Sequence, residues 1–253
     1  MGMGMPRVVR VRQNFNSAKV TDIERAVRDE FSRLGLRDAV RVGRRVGITV
    51  GSRGINGITE ILRALVSEVR SCGGAPVLLA AMGSHGGGTA DGQGGVLRSL
   101  GIDEGSMGAP VVTCAECVRI GVTRGGYAAY VLSSALSVDS ILVVNRVKVH
   151  TAFHGTVESG LYKMLAVGLG GPMGASQFHA RGASELPGML LEIGEAILAG
   201  LPVAAGFAIV ENAREETAAI RGVLPRDFRR EEPELLELAR SLMPSLPVNG
   251  LDV

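Results

Sequence analysis

The sequence has little excess charge of either sign. Lys and Arg together number 27 and Asp and Glu 25, which gives a formal net charge of +2. A nucleic-acid-binding protein needs a concentrated basic surface to neutralise phosphates. No basic run or basic amphipathic helix stands out, so we expect no nucleic-acid partner. Lysine is scarce among the basic residues, and its three occurrences are Lys19, Lys148 and Lys163.

Long apolar runs and paired cysteines are also lacking. The longest apolar stretch, residues 198–210, is interrupted by Gly200, Pro202 and Gly206 and is too short to span a bilayer. Residues 1–6 do not have the basic-then-apolar layout of a signal peptide. Three cysteines are an odd and sparse count, which fits a reducing cytoplasm better than a disulfide scaffold. We therefore expect a cytoplasmic protein without a membrane partner.

Hydrophobic periodicity predicts strands that alternate with helices. The predicted strands cover residues 8–12, 46–50, 76–82, 140–144 and 207–210, with two or three weaker strands within 111–132. The predicted helices run from an N-cap at Thr21 to Gly35, then over residues 58–69, 89–100, 159–167, 187–198 and 231–243. This alternation indicates an α/β fold, a layered domain with a mostly parallel sheet, and we take residues 1–253 as a single such domain.

Polar or Gly-rich segments follow four of the predicted strands directly. These segments are Ser52-Arg53, Ser84-His85, residues 145–150 and Glu211-Asn212. Ligands of open α/β sheets bind beyond the carboxyl ends of the strands. The sequence therefore predicts that these active-site loops at strand carboxyl ends converge on one crevice.

All the histidines of the sequence lie in or beside Gly-rich segments. They are His85, His150, His154 and His179, and none falls within an apolar periodic stripe. A single histidine in such a place is more often a hydrogen-bonded loop residue than a functional one. Four in the same context favour a site, because glycines let backbone and ligand approach closely.

The segment from residue 145 to 179 carries the densest pattern. A Ser-His-Gly-Gly loop at residue 84 is followed by His-x-x-Phe-x-Gly from His150, by Glu-Ser-Gly-Leu-x-Lys-Met-Leu-Ala from Glu158, and by a distant His179. In order and spacing, these motifs resemble the nickel-pincer lactate racemase family over roughly residues 46–215. The resemblance implies an isomerase, a racemase or epimerase of a small 2-hydroxy acid.

Family resemblance also implies a role for individual residues. Lys163 matches the lysine that tethers the nickel-pincer nucleotide as a thioamide, and His179 matches the histidine that completes nickel coordination. His85 and His150 match the acid and base that act on the substrate hydroxyl. Arg53 is the candidate for binding the substrate carboxylate. The resemblance further implies cofactor-synthesis proteins as partners.

This chemistry suits the residue types. Racemisation by transient hydride transfer leaves a planar 2-keto acid, and a base on each face takes the hydroxyl proton from either enantiomer. Histidine suits that task because its pKa lies near neutrality. Sulfur with imidazole suits Ni(II), and the fork of an arginine suits a carboxylate.

The sequence departs from the family pattern at several positions. His154 lies between His150 and Lys163, in a gap longer than that of the lactate racemases, and is a second candidate for the base. Val149 replaces a proline common before this histidine, and the first loop reads Gly-Ser-Arg-Gly around Arg53. We also expect almost none of the family's C-terminal domain in this chain. Whether the chain is active by itself therefore stays open.

Other interpretations of the same residues stay open. His150 and His154 are four residues apart, as in a zinc hydrolase, but Thr151 stands where the glutamate of His-Glu-x-x-His belongs. Cys114 and Cys117 form a lone Cys-x-x-Cys among predicted strands, which we interpret as incidental rather than as a zinc site. A nucleotide-binding module and a non-catalytic protein on the same fold are further alternatives. Arg146 and Lys148 could face solvent or could hold a substrate anion. Glu158 is more often a surface or capping carboxylate than a catalytic one.

Overall fold

The structure is a computed structural model, and it describes residues 10–247. Within them, a six-stranded sheet has the order β3-β2-β1-β6-β7-β8. Its strands are β1 (Arg45–Val50), β2 (Ala75–Ala80), β3 (Val111–Val112), β6 (Ser140–Arg146), β7 (Val203–Glu211) and β8 (Thr217–Val223). Every pairing is parallel except that of β7 with β8. A separate antiparallel pair consists of β4 (Cys117–Val122) and β5 (Ala128–Leu132).

Helices cover both faces of the large sheet, so the fold is α/β with a mostly parallel sheet, as predicted. The helices are α1 (Ile23–Arg33), α2 (Ile58–Ser71), α3 (Ala90–Ser99), α4 (Glu104–Met107), α5 (Leu161–Lys163), α6 (Gly171–His179), α7 (Leu186–Gly200) and α8 (Phe228–Leu242). A π-helical segment, Met164–Leu169, joins α5 to α6. No helix within residues 10–247 combines the length and apolarity that crossing a membrane requires.

The core consists of two apolar layers, one on each face of the sheet. Side chains of a strand alternate between the faces. In β6, Ile141 and Val143 pack with α5, α7 and α8, whereas Leu142 and Val144 pack with α1 and α2. The near-continuous burial of β1, β2 and β6 explains why these strands read as short apolar runs in the sequence.

Four boundaries near the start of the chain and at strand ends differ from the predictions. Residues 10–12 are not in a strand, and the rest of the predicted strand 8–12 lies outside the described residues. Helix α1 is capped by Asp22 rather than Thr21, because the Asp22 carboxylate accepts a hydrogen bond from the Arg25 N–H at 2.9 Å. Arg146 and Glu211, predicted to follow their strands, are the last residues of β6 and β7.

The second half of the chain contains two elements that the periodicity did not predict. Helix α6 includes Gly171 and Gly174, which have low helix propensity, but its buried Ala175 and Phe178 hold it in place by packing. Strand β8 has only a weak apolar alternation and is formed by pairing along β7. The helix predicted over residues 159–167 is present as the short α5 and the π-helical segment.

Candidate functional site

Strands β2, β1, β6 and β7 are neighbours and run parallel, so their carboxyl ends share one edge of the sheet. A pocket of about 540 Å³ opens at this edge. All five predicted site residues line it: Arg53, His85, His150, Lys163 and His179. Three of the four predicted segments thus converge on one crevice, whereas Glu211 and Asn212 are not among the described residues that line it, and the roles of the residues stay predictions.

His85 lies in the Gly-rich turn after β2. The Nδ1 atom of His85 is hydrogen-bonded to the Ser52 hydroxyl from the loop after β1, which ties the two loops together. The next residue, Gly86, has φ +66°, and a Cβ there would collide with the backbone of Gly92 and Gln93, so a side chain would not fit. Partial burial and the positive charge of Arg53 lower the pKa of His85, which favours the neutral imidazole.

His150 lies in an irregular loop between β6 and α5. Its ring stacks on Phe153 with centroids 4.1 Å apart, and its Nδ1 accepts a hydrogen bond from the Ala152 N–H at 3.1 Å. Partial burial and then the charge of Lys163 lower the pKa of His150 to about 4. His150 is therefore an ordered, neutral imidazole on the wall of the pocket.

Glu158 organises this loop from beneath. Its buried carboxylate accepts hydrogen bonds from the His150 N–H at 2.6 Å and the Gly155 N–H at 3.3 Å. It also contacts His154 Nδ1 at 3.3 Å and pairs with Arg240 of α8 at 3.0 Å. Of the two roles that the sequence suggested for Glu158, the surface role is wrong because the side chain is buried, whereas its bonds to backbone N–H groups agree with the capping role. His154 is held on Glu158 and is not among the described residues that line the pocket.

Lys163 is the last residue of α5, directly before the π-helical segment, a kind of helix distortion that is frequent at functional sites. No Asp or Glu is found among the described residues that line the pocket around it. Burial, followed by the charges of Lys148 and Arg53, lowers the pKa of Lys163 to about 8. At pH 7 about a tenth of this amine is then neutral, against well under a thousandth of an ordinary lysine.

His179 ends α6, so it belongs to a helix and not to a Gly-rich loop as the sequence suggested. A buried aromatic ring connects it with the lysine. The Phe178 ring centroid lies 5.9 Å from Lys163 Nζ and 5.5 Å from that of His179. The segment from α5 to α6 thus brings a lysine and a histidine to one side of the pocket.

Arg53 and Lys148 add positive charge to the same pocket. Both side chains are exposed, and within residues 10–247 neither makes an ion pair. Arg146 differs, because it pairs with Glu211, whose other carboxylate oxygen accepts the Asn56 N–H at 2.8 Å. The pocket therefore presents a net positive wall to a ligand.

These residues fit the cofactor that the resemblance implies. A nickel-pincer nucleotide needs an acylatable amine, one further nickel ligand and a complement for its anionic parts. Lys163 offers an amine of lowered basicity, and His179 offers an accessible imidazole. Arg53 and Lys148 on the pocket wall can balance the anionic parts. Among residues 10–247, no three His, Cys, Asp or Glu side chains are grouped as a protein-only metal site.

Cys114 and Cys117 lie just before and at the start of β4, among strands as predicted. Both are free thiols, and the Cys114 sulfur lies 3.2 Å from the Ser133 hydroxyl. Neither is among the described residues that line the pocket.

The sequence patterns did not predict the supporting role of two residues. Glu158 lies inside the densest motif, and this position was the feature that could have indicated its role. Glu232, on α8, is buried and accepts the Tyr162 N–H at 3.0 Å, next to Lys163. Its signal was periodicity, since Glu232 shares a helix face with Leu235, Leu236 and Ala239, which are all buried.

Comparison with known proteins supports the fold. Neither a scan against protein-family models nor a search of curated proteins finds a match. Among solved structures, the chain is similar to the lactate racemase apoprotein from Thermoanaerobacterium thermosaccharolyticum, with a TM-score of 0.65 and 13% sequence identity. The likeness covers 86% of this chain and 55% of that one, so the chain spans about half the length of that protein. The two proteins share an α/β fold.

Proposed function

We propose that this chain is the cofactor-bearing part of an isomerase that racemises or epimerises a small 2-hydroxy acid with a nickel-pincer nucleotide. One observation carries the proposal. A lysine of lowered basicity, a helix-terminal histidine, two neutral histidines and an arginine, distant in sequence, line a single pocket at the carboxyl edge of the sheet. The similarity to a lactate racemase apoprotein supports it at the level of the fold.

Lys163 and His179 are the residues that would hold the cofactor. The neutral fraction of the Lys163 amine supplies the lone pair that an acyl linkage requires. His179 would coordinate nickel through an imidazole nitrogen, a ligand that suits this metal. When bound, the cofactor would accept a hydride from the carbinol carbon and return it to either face.

His85 and His150 would handle the hydroxyl proton. In both, the neutral imidazole is favoured, so each has one basic and one protonated nitrogen; in His150 the basic Nδ1 accepts the Ala152 N–H and the proton lies on Nε2. Lys163 is among the charges that lower both pKa values, and acylation of its amine removes that charge. Cofactor attachment therefore raises the pKa values of both histidines toward 7, where proton transfer is most efficient. Arg53 would bind the substrate carboxylate through paired N–H donors.

The test is cofactor loading, which does not depend on turnover by this chain. The chain is co-expressed with pincer-synthesis proteins, beside a control racemase, and its intact mass, modified peptide and nickel content are measured. We expect an added mass on Lys163 with near-stoichiometric nickel. Lys163→Ala should lose both, whereas Lys19→Ala, at a lysine paired with Glu216, should keep both.

An unmodified chain without nickel, from a preparation in which the control racemase is loaded, would contradict the proposal. Stoichiometric zinc in that chain would favour the zinc-hydrolase alternative. Absence of both metals would favour a non-catalytic protein on the same fold.

A further inference from the structure

The pocket carries more positive charge than the proposed reaction uses. Arg53, Lys148 and Lys163 all line it, and its described lining contains no acidic residue. The carboxylate of Glu211, one of two that act on Lys148, is engaged by Arg146 and the Asn56 N–H. In the proposed site, Lys163 becomes neutral on acylation and Arg53 takes the substrate carboxylate. Lys148 is then the cation of the wall that remains for a further anionic group.

Lys148 is held in a fixed place by its backbone. Its N–H donates to the Ser159 carbonyl at 2.8 Å, and the Ser159 N–H donates back at 3.3 Å, in an isolated bridge. The preceding residue, Val147, donates to Ile209 of β7 at 2.8 Å. The backbone of the lysine is thus anchored between the sheet and the segment that leads to Lys163, which fixes the point from which its side chain reaches the pocket.

The charges around Lys148 favour an anion. Partial desolvation by the pocket wall, then Arg146 and Arg53, lower the pKa of Lys148, while the carboxylates of Glu211 and Glu215 oppose this less strongly. Repulsion between neighbouring cations is relieved when an oxyanion binds between them, and charge-assisted hydrogen bonds add to the attraction.

We infer that Lys148, beside Arg53, binds a second oxyanion. The site would then bind one anionic group in addition to the single carboxylate of a simple 2-hydroxy acid. The inference rests on the proposed function for the use of Lys163 and Arg53. The second oxyanion is a carboxylate or a phosphate. Its source is either a 2-hydroxy dicarboxylate substrate or the phosphate of the cofactor.

The binding test uses the full chain without cofactor and so is independent of loading. Malate, lactate and inorganic phosphate are titrated calorimetrically at constant ionic strength into wild type, Lys148→Met and Lys148→Arg. Since a hydrogen bond to a charged group contributes enough for about a tenfold change in affinity, we expect Lys148→Met to weaken malate or phosphate binding by about tenfold. Lactate binding should change much less. Lys148→Arg should retain most of the affinity, and Lys19→Met, the matched control, should behave as wild type.

The pattern of losses identifies the source of the oxyanion. A malate-over-lactate preference that disappears in Lys148→Met indicates a dicarboxylate substrate. Equal malate and lactate affinities, together with Lys148-dependent phosphate binding and reduced cofactor loading in Lys148→Met, indicate the cofactor phosphate. Malate and phosphate affinities unchanged in Lys148→Met would overturn the inference. That result does not affect the proposed function if Lys163 carries the cofactor. A Lys163 that stays unmodified contradicts the proposed function, regardless of the anion affinities.

Discussion

At the scale of single residues, the pocket depends on side chains whose ordinary behaviour is altered by their surroundings. Lys163 has a lowered pKa because it is partly buried beside two other cations. His150 has a lowered pKa for the same reasons, although Glu158 opposes the shift. Perturbed groups that gather in one cleft are typical of functional sites. The importance of His179, an exposed residue, rests on its position in the pocket.

His179 offers the sharpest single-residue test of the metal assignment. His179→Ala should abolish nickel retention in co-expressed protein while leaving the fold intact, because this exposed side chain at a helix end contributes little to the core. Nickel content and far-UV circular dichroism measure the two effects. His154→Ala, at an exposed histidine of the neighbouring loop, is the control and should keep its nickel. Normal nickel in His179→Ala would remove the assignment.

At the scale of elements, α5 owes its position to α8. The three-residue α5 is too short to be stable alone. The Glu232 carboxyl of α8 accepts the Tyr162 N–H, and Asn145 of β6 donates to the Gly160 carbonyl at 2.7 Å. Gly160 has no side chain because a Cβ there would collide with Glu232. The lysine is thus presented by a turn fixed from two sides.

Glu232 should make stability depend on pH. Burial raises the pKa of Glu232 to about 8, so the folded state binds a proton that the unfolded chain releases at its ordinary, lower pKa. The stabilisation is complete in acid and is lost as pH rises toward about 8. Urea unfolding at about pH 5.5 and pH 9 should show wild type losing more stability than Glu232→Gln over this interval. Glu234→Gln, at an exposed position of the same helix, should follow wild type, and parallel curves for wild type and Glu232→Gln would contradict this prediction.

At the scale of the whole molecule, the strand order assembles the site. The loops after β1, β2 and β6 meet because these strands are adjacent and parallel, although β2 and β6 are separated by a long stretch that includes β4 and β5. Helix α8, near the end of the described chain, completes the arrangement through two residues. Glu232 holds the lysine turn, and Arg240 pairs with the buried Glu158 under the His150 loop.

The contact between α8 and this loop should be measurable as stability. Glu158→Gln removes the charge of a buried carboxylate and places amide hydrogens against N–H donors, so we expect a loss of about 1–3 kcal/mol in the free energy of unfolding. Glu237→Gln is the matched control, because Glu237 also pairs with Arg240 but lies exposed, and it should cost about 0–1 kcal/mol. Denaturant unfolding measures both. Equal losses in the two variants would mean that burial of Glu158 adds nothing.

Much of the fold follows from patterns local to each segment. The buried runs of β1, β2 and β6, the periodic apolar face of α2 and the alternation of strands with helices all predict a mostly parallel α/β sheet. Polar segments after strand ends then predict a crevice, because parallel strands end at one edge. The candidates Arg53, His85, His150, Lys163 and His179 came from those segments and from family resemblance, and the structure places them together.

Only the tertiary structure decided what lies beneath those residues. Local pattern does not predict β8, which forms because β7 offers an edge, or the Gly-rich α6, which forms because Phe178 is buried. Nor does it predict that Arg240 meets Glu158, or that Glu232 meets the turn before Lys163. These contacts join residues remote in the chain, and their strength comes from burial. The sequence by itself determined which groups can carry chemistry, whereas the packing of α8 and the order of the strands decided their surroundings, charge and orientation.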